Sequence, residues 1–207
     1  STLLGTGLNL PYYFALAEHK DATLNPKIYV DDNPIIQTEY RHVTKNSYSI
    51  LDASFNQGYK KTSDKKTGGS RNHIFARSDI DLDLEIFDES KLVMNYQKAS
   101  NDTYLKVHNI KSKIMTSNTV MNSSIDMNFS KNDTSMDINM DVYEDLSKTD
   151  DRYEFVVPNY NYKNKLSISE ELGTLNFQSR GYYKNYQTNK KQTKLVNDFN
   201  WNSNDYI

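Results

Sequence analysis

Polar and apolar residues alternate one by one over much of this chain. From Asp79 to Ile86 four acids, Asp79, Asp81, Asp83 and Glu85, interleave with four aliphatics without a break. An extended strand places successive side chains on opposite faces, so this stretch predicts one acidic face and one oily one, which a helix would mix. Ile125 to Ser130 and Met136 to Val142 repeat the pattern. Lys131-Asn132-Asp133-Thr134 between them is a polar turn, which predicts a hairpin. Leu92 to Tyr96, Leu175 to Gln178 and Leu195 to Trp201 carry weaker versions of the same period.

Carried through the chain, this period predicts strands over 7–17, 22–31, 34–44, 47–58, 72–87, 91–98, 118–130, 134–145, 152–164, 172–185 and 191–203. No segment shows a helical stripe. The central connections alternate between long (58–71 and 99–117) and tight (88–90 and 131–133). Long loops on one side and tight turns on the other are the mark of an up-and-down antiparallel sheet, and of outer-membrane barrels in particular. Several strands exceed the usual five or six residues of a soluble sheet. The expected fold class is all-β, and strand length favours an antiparallel up-and-down transmembrane β-barrel, here an open partial barrel of about 11 strands. In it the apolar face meets lipid, and Asp79, Asp81, Asp83 and Glu85 face a wet lumen. A soluble sandwich, with its apolar face packed on a second sheet, satisfies the same alternation, so periodicity alone leaves both open.

Composition narrows the class. The chain has 207 residues, 36% of them apolar and 25% charged, with no Cys and a formal charge of −2. That excludes a disulfide scaffold and a Cys-ligated metal, and argues against non-specific nucleic-acid binding. The apolar runs, such as Tyr12 to Leu16, are far short of the roughly 20 residues a membrane helix needs. Sixteen tyrosines rule out a disordered tail. The chain starts without Met and stops soon after a strand-like run, and it reads as one partial barrel domain, 1–207, of a longer protein.

Little local chemistry stands out. The acidic stretch 79–85 lacks the Gly and loop character of a calcium loop. His19, His42, His73 and His108 have no metal-ligand spacing, and there is no nucleophile elbow or phosphate loop. A Ser-His pair could meet only in space. We expect no enzyme activity and no cofactor. Lys60, Lys61, Lys65, Lys66 and Arg71 make a basic loop, either a plain exposed connection or one drawn to anionic headgroups. Pro11, Pro26 and Pro158 fall inside strand-like runs, where each removes a ladder donor, so weakened pairing near one seam is implied.

The first 41 residues carry a resemblance. Leu10-Pro11-Tyr12-Tyr13-Phe14, then Asp21-Ala22-Thr23 running to Pro26 and Tyr29, then Glu39-Tyr40-Arg41, resemble the early barrel strands of the LptD family of lipopolysaccharide-assembly proteins. Arg152 to Pro158 and Gly181 to Tyr186 are similar to later strands. The family signature thus rests on Leu10, Pro11, Tyr12, Tyr13, Asp21, Ala22 and Thr23. The resemblance implies an outer-membrane translocon of Gram-negative cells that delivers lipopolysaccharide through a barrel lumen and a lateral gate. Pro11 and Pro26 would then be seam residues. It also implies a plug lipoprotein of the LptE type, a periplasmic bridge of the LptA type reached through an N-terminal domain, and contact with outer-membrane lipids. Another porin or channel barrel, or a soluble β-rich surface or adhesion module, would share the alternation without the Leu-Pro-Tyr-Tyr and Asp-Ala-Thr blocks.

Overall fold

The computed structural model describes residues 4–63, 68–169 and 173–203; Lys65, Lys66 and residue 172 of a predicted strand lie outside the described residues. One open antiparallel sheet of twelve strands makes up the fold. Its strands are β1 (Gly7–Asn9), β2 (Tyr12–Ala17), β3 (Lys20–Tyr29), β4 (Ile35–Val43), β5 (Ser47–Asn56), β6 (Arg71–Asp81), β7 (Glu89–Ala99), β8 (Val120–Lys131), β9 (Thr134–Asp145), β10 (Tyr153–Ser169), β11 (Gly173–Tyr186) and β12 (Lys190–Asn202). Among the described residues a single short helix, α1 (Tyr104–Val107), interrupts the connection from β7 to β8. From β3 onward each strand pairs with the next in sequence, while β1 and β2 both pair with β3. The two ends do not meet, so the sheet is a partial barrel that stays open.

Three expectations need correcting in detail. The run 7–17 is two strands, because Leu10-Pro11 breaks the ladder while the register on β3 runs straight through. That accounts for twelve strands where about 11 were expected. The predicted strand 72–87 ends at Asp81. Beyond it Leu82 N–H donates to the Ser90 carbonyl at 2.8 Å, Phe87 N–H to that of Leu84 at 2.9 Å, and Asp83 has a φ of 49°. The Phe87 ring, 4.9 Å from that of Phe129, fastens this turn to β8. The alternation of acids therefore outlasts the strand, and Asp83 and Glu85 are not placed on one strand face with Asp79 and Asp81. Lastly, the stretch 99–117, expected to be loop alone, contains α1.

The turn chemistry otherwise follows the sequence. Asn132, with a φ of 48°, sits in the two-residue link between β8 and β9, and asparagine tolerates that left-handed conformation better than most residues. The two faces differ sharply. Residues 100–119 fold back over one, which carries Ile35, Gln37, Asp52, Ser54, His73 and Phe75; we call it the covered face. The bare face carries Ile36, Leu51, Phe55, Ile74, Tyr96, Leu195, Phe199 and Trp201, all exposed, the last three between 59% and 69%. A bulge between Val156 and Asn159 places Val157 and Pro158 opposite the single residue Met140, which switches the alternation of β10 to the other phase.

Candidate functional site

Four strands and one loop build a buried part of the covered face. Tyr104, Leu105 and Ile110 of the long connection are almost fully buried and pack with Ile35, Phe75, Ala99, Met121 and Leu146. Polar contacts fix the rest of the loop. Gln37 Nε2 donates to the Lys111 carbonyl at 2.9 Å, Gln97 Nε2 to the Ile114 carbonyl at 2.7 Å, and Lys113 pairs with Glu39 at 2.8 Å. The loop thus fills the hollow of the sheet instead of extending away from it.

Beneath it lies a buried polar chain. Ser54 and His73 face each other across β5 and β6, with Ser54 Oγ 2.6 Å from His73 Nδ1. His73 Nε2 is 3.1 Å from Asp52 Oδ1, and Gln37 Nε2 donates to the same carboxylate at 3.1 Å. The Tyr104 hydroxyl is 2.7 Å from Ser54 Oγ, and burial pushes its phenol up to about 12. Serine, histidine and aspartate in this order resemble a hydrolytic triad. Here Ser54 is already engaged by Tyr104, and His73 and Asp52 are at most 1% exposed, so no substrate reaches the hydroxyl. Burying a carboxylate is costly unless it is hydrogen-bonded, and this network supplies those bonds while holding the loop. The sequence carries a signal for it, the period-2 polar run Asp52-x-Ser54-x-Asn56, but its partner His73 arrives only through strand register.

The residues of the Leu-Pro-Tyr-Tyr and Asp-Ala-Thr blocks come together at the first edge of the sheet. Tyr12 pairs with Leu24, Tyr13 with Thr23, Phe14 with Ala22 and Ala15 with Asp21. Asp21 in turn binds Arg41 on β4 at 2.8 Å, so the third block, Glu39-Tyr40-Arg41, joins the same patch. Leu10 N–H donates to the Pro26 carbonyl at 3.1 Å, which makes Pro11 and Pro26 near neighbours across the ladder. Asp79 and Asp81 sit apart from this edge on β6, on the same side as His73, with Asp79 paired to Arg77 at 2.7 Å.

The abundant asparagines also have a place. Asn128 and Asn161 both donate to Asp137, at 2.9 and 3.2 Å, and Gln178 donates to Asn161 at 2.7 Å, a ladder of amides crossing β8, β9, β10 and β11. Cross-strand pairs of this kind stabilise a sheet face that is not packed with apolar side chains. Among the described residues no group of three or more His, Asp or Glu side chains is placed to hold a metal ion.

Part of this sequence recurs in known proteins. The chain is similar to LPS-assembly proteins. It is 37% identical over 71 residues, 34% of its length, to the LPS-assembly protein LptD of Psychrobacter cryohalolentis and equally to that of Psychrobacter arcticus. It is 27% identical over 131 residues, 62% of its length, to the LptD of Nitrosococcus oceani. The matched stretches make up 7%, 8% and 16% of those proteins, so the chain spans a small part of these relatives. No protein-family model matches the chain.

Proposed function

We propose that this chain is a segment of the barrel wall of an outer-membrane lipopolysaccharide-assembly protein of the LptD type. The observation that carries this reading is the coincidence of two things: similarity to LptD proteins, and a long antiparallel sheet whose apolar face no other part of the described chain covers. In this reading the bare face meets lipid and the covered face lines a hydrated lumen, with Asp79 and Asp81 among its acids. The work is transport without bond chemistry. Acyl chains leave through a weakly paired edge at Pro11 and Pro26 while the sugar headgroup stays in the wet interior, where polar side chains replace water. Partners in this reading are lipopolysaccharide, a plug lipoprotein of the LptE type and a periplasmic bridge of the LptA type. No helix among the described residues is long and apolar enough to cross a membrane, which bears on helices alone.

Depletion of the complete protein in its own cell tests the proposal. Newly made lipopolysaccharide should fail to reach the surface, measured by protease-independent surface labelling of its sugars, while uptake of small solutes is retained. Loss of solute uptake with normal lipopolysaccharide delivery would instead identify a porin-type channel.

A further inference from the structure

A cavity of about 410 Å³ opens on the covered side of the first edge, between β1, β3 and the segment after α1. Its charged lining is Lys27 of β3 and Lys111 of the loop, and no carboxylate lines it. Neither lysine is in an ion pair among the described residues. Lys27 Nζ is 3.3 Å from the Asn109 carbonyl, which fixes its head at the wall. His108 also lines the cavity. It is only 2% exposed, yet neither ring nitrogen has a hydrogen-bond partner; the Asn25 side-chain oxygen at the same wall is likewise unpartnered. Buried polar atoms are ordinarily satisfied, so orphaned ones in residues that line a cavity with two cations mark a place where a polar ligand completes the set.

We infer that this cavity binds a phosphorylated sugar. Lysines present compact positive charge and suit phosphate, and the asparagines at positions 9, 25 and 109 supply amides for sugar hydroxyls. The volume exceeds that of a phosphate alone and lies in the range of pockets that take a sugar-sized ligand. Burial and the Arg71 guanidinium bring His108 down to about 4, so it meets the ligand neutral, with one N–H to donate. Two acids near the site are already engaged, Asp52 by Gln37 and His73 and Asp32 by the backbone N–H groups of Asn33 and Lys60, and the Asp31 carboxylate stands beside Gly5 of the wall. The oxygens of the first two are hydrogen-bonded elsewhere, and Asp52 acts on Lys27 through space, without an ion pair. The identification of the sugar phosphate as a lipid headgroup rests on the function proposed above; the site itself does not.

The test uses the full-length protein in detergent. Its probes are a phosphorylated glucosamine-disaccharide lipid, the same lipid dephosphorylated, and soluble glucosamine 1-phosphate. We expect the phosphorylated lipid to bind about tenfold or more tightly than the dephosphorylated one, the scale of one or two charge-assisted hydrogen bonds. Lys111→Gln, at an exposed position, and Lys27→Gln should each remove most of that difference, and Lys27→Arg should keep it. Binding should also raise the pH at which the His108 ring signals titrate in NMR. Equal binding of the two lipids, or unchanged discrimination in both Gln variants, would overturn the site. Glucosamine 1-phosphate binding as tightly as the lipid would uphold the site and overturn its lipid source.

Discussion

Leu10 donates its backbone N–H to the carbonyl of Pro26 at 3.1 Å, and Pro26 cannot return the bond. In an antiparallel ladder such facing residues normally exchange two bonds, so this rung is half made. Because neighbouring N–H groups point to opposite sides, the donor that Pro11 lacks faces away from β3, toward the open edge. One proline loosens the first strands from the sheet, and the other weakens whatever pairs beyond them. Pro26→Val should restore the rung and stabilise the pairing by about 1 kcal/mol, slowing amide exchange across residues 8–12 by about fivefold. Unchanged or faster exchange there would show that the broken rung does not limit opening of this edge.

The long connection is held down chiefly through Tyr104. Its ring is buried against the strands and its hydroxyl completes the chain Ser54–His73–Asp52. Tyr104→Phe removes one hydroxyl and leaves Ser54 bonded to His73, which costs about 1 kcal/mol of loop docking. Tyr104→Ala also opens a cavity and costs about 3–5 kcal/mol, enough to release the segment. Limited proteolysis within 100–119 should be little changed in the first variant and fast in the second. Equal protection of both would mean that Gln37, Gln97 and Lys113 suffice to hold the loop.

What the sequence made legible, and what it hid, follows from the range of each interaction. Strand identity from β8 to β9 rests on neighbouring residues, and the alternation Ile125 to Ser130, the Asn132-Asp133 link and the alternation Met136 to Val142 state it outright. Weakened pairing at Pro11 was legible too, since proline announces its missing donor, but not that it divides 7–17 into two strands. Asp83 misled because alternation continues in the letters after the backbone has turned, and only the φ of 49° reveals the turn. The Ser54, His73 and Tyr104 set was out of reach, because its members are up to 50 residues apart and meet through register and loop docking. For the edge blocks the resemblance supplied what periodicity could not, as Tyr13 and Asp21 look like ordinary strand residues.

His108 makes loop docking sensitive to acid. Its ring lies among Tyr29, Tyr59 and Tyr104, at centroid distances of 5.0 to 6.4 Å, with Arg71 and Lys27 disfavouring its protonation and Asp32 favouring it. Burial dominates, and the docked group titrates at about 4, against 6.5 when released. The released form takes up a proton first, so docking is at full strength above pH 6.5 and weakens as the pH falls toward about 4, by about 3 kcal/mol at most. Exchange protection of residues 104–110 should fall over that window, and His108→Phe should flatten the dependence. A variant that keeps the full acid sensitivity would assign the effect to another group.

The bulge in β10 gives the proposed membrane orientation of the sheet its strictest test. Before it Phe155 pairs with Val142, and after it Tyr160 pairs with Ile138 and Tyr162 with Met136. Val142, Ile138 and Met136 all stand on the bare face, so the bare-face phase of β10 passes from odd to even numbers across Val157 and Pro158. Single spin labels at 153, 155, 160 and 162 should be more accessible to oxygen, and those at 154, 156, 159 and 161 to a water-soluble relaxant. On β6 the bare-face phase is even, at Ile74, Ala76 and Ile80, and it should end at Asp81, with labels at 83 to 86 reporting water irrespective of parity. One unbroken phase through β10 would contradict the bulge. Oxygen contact on neither face would contradict the barrel, because a sheet in lipid must show its apolar side to acyl chains.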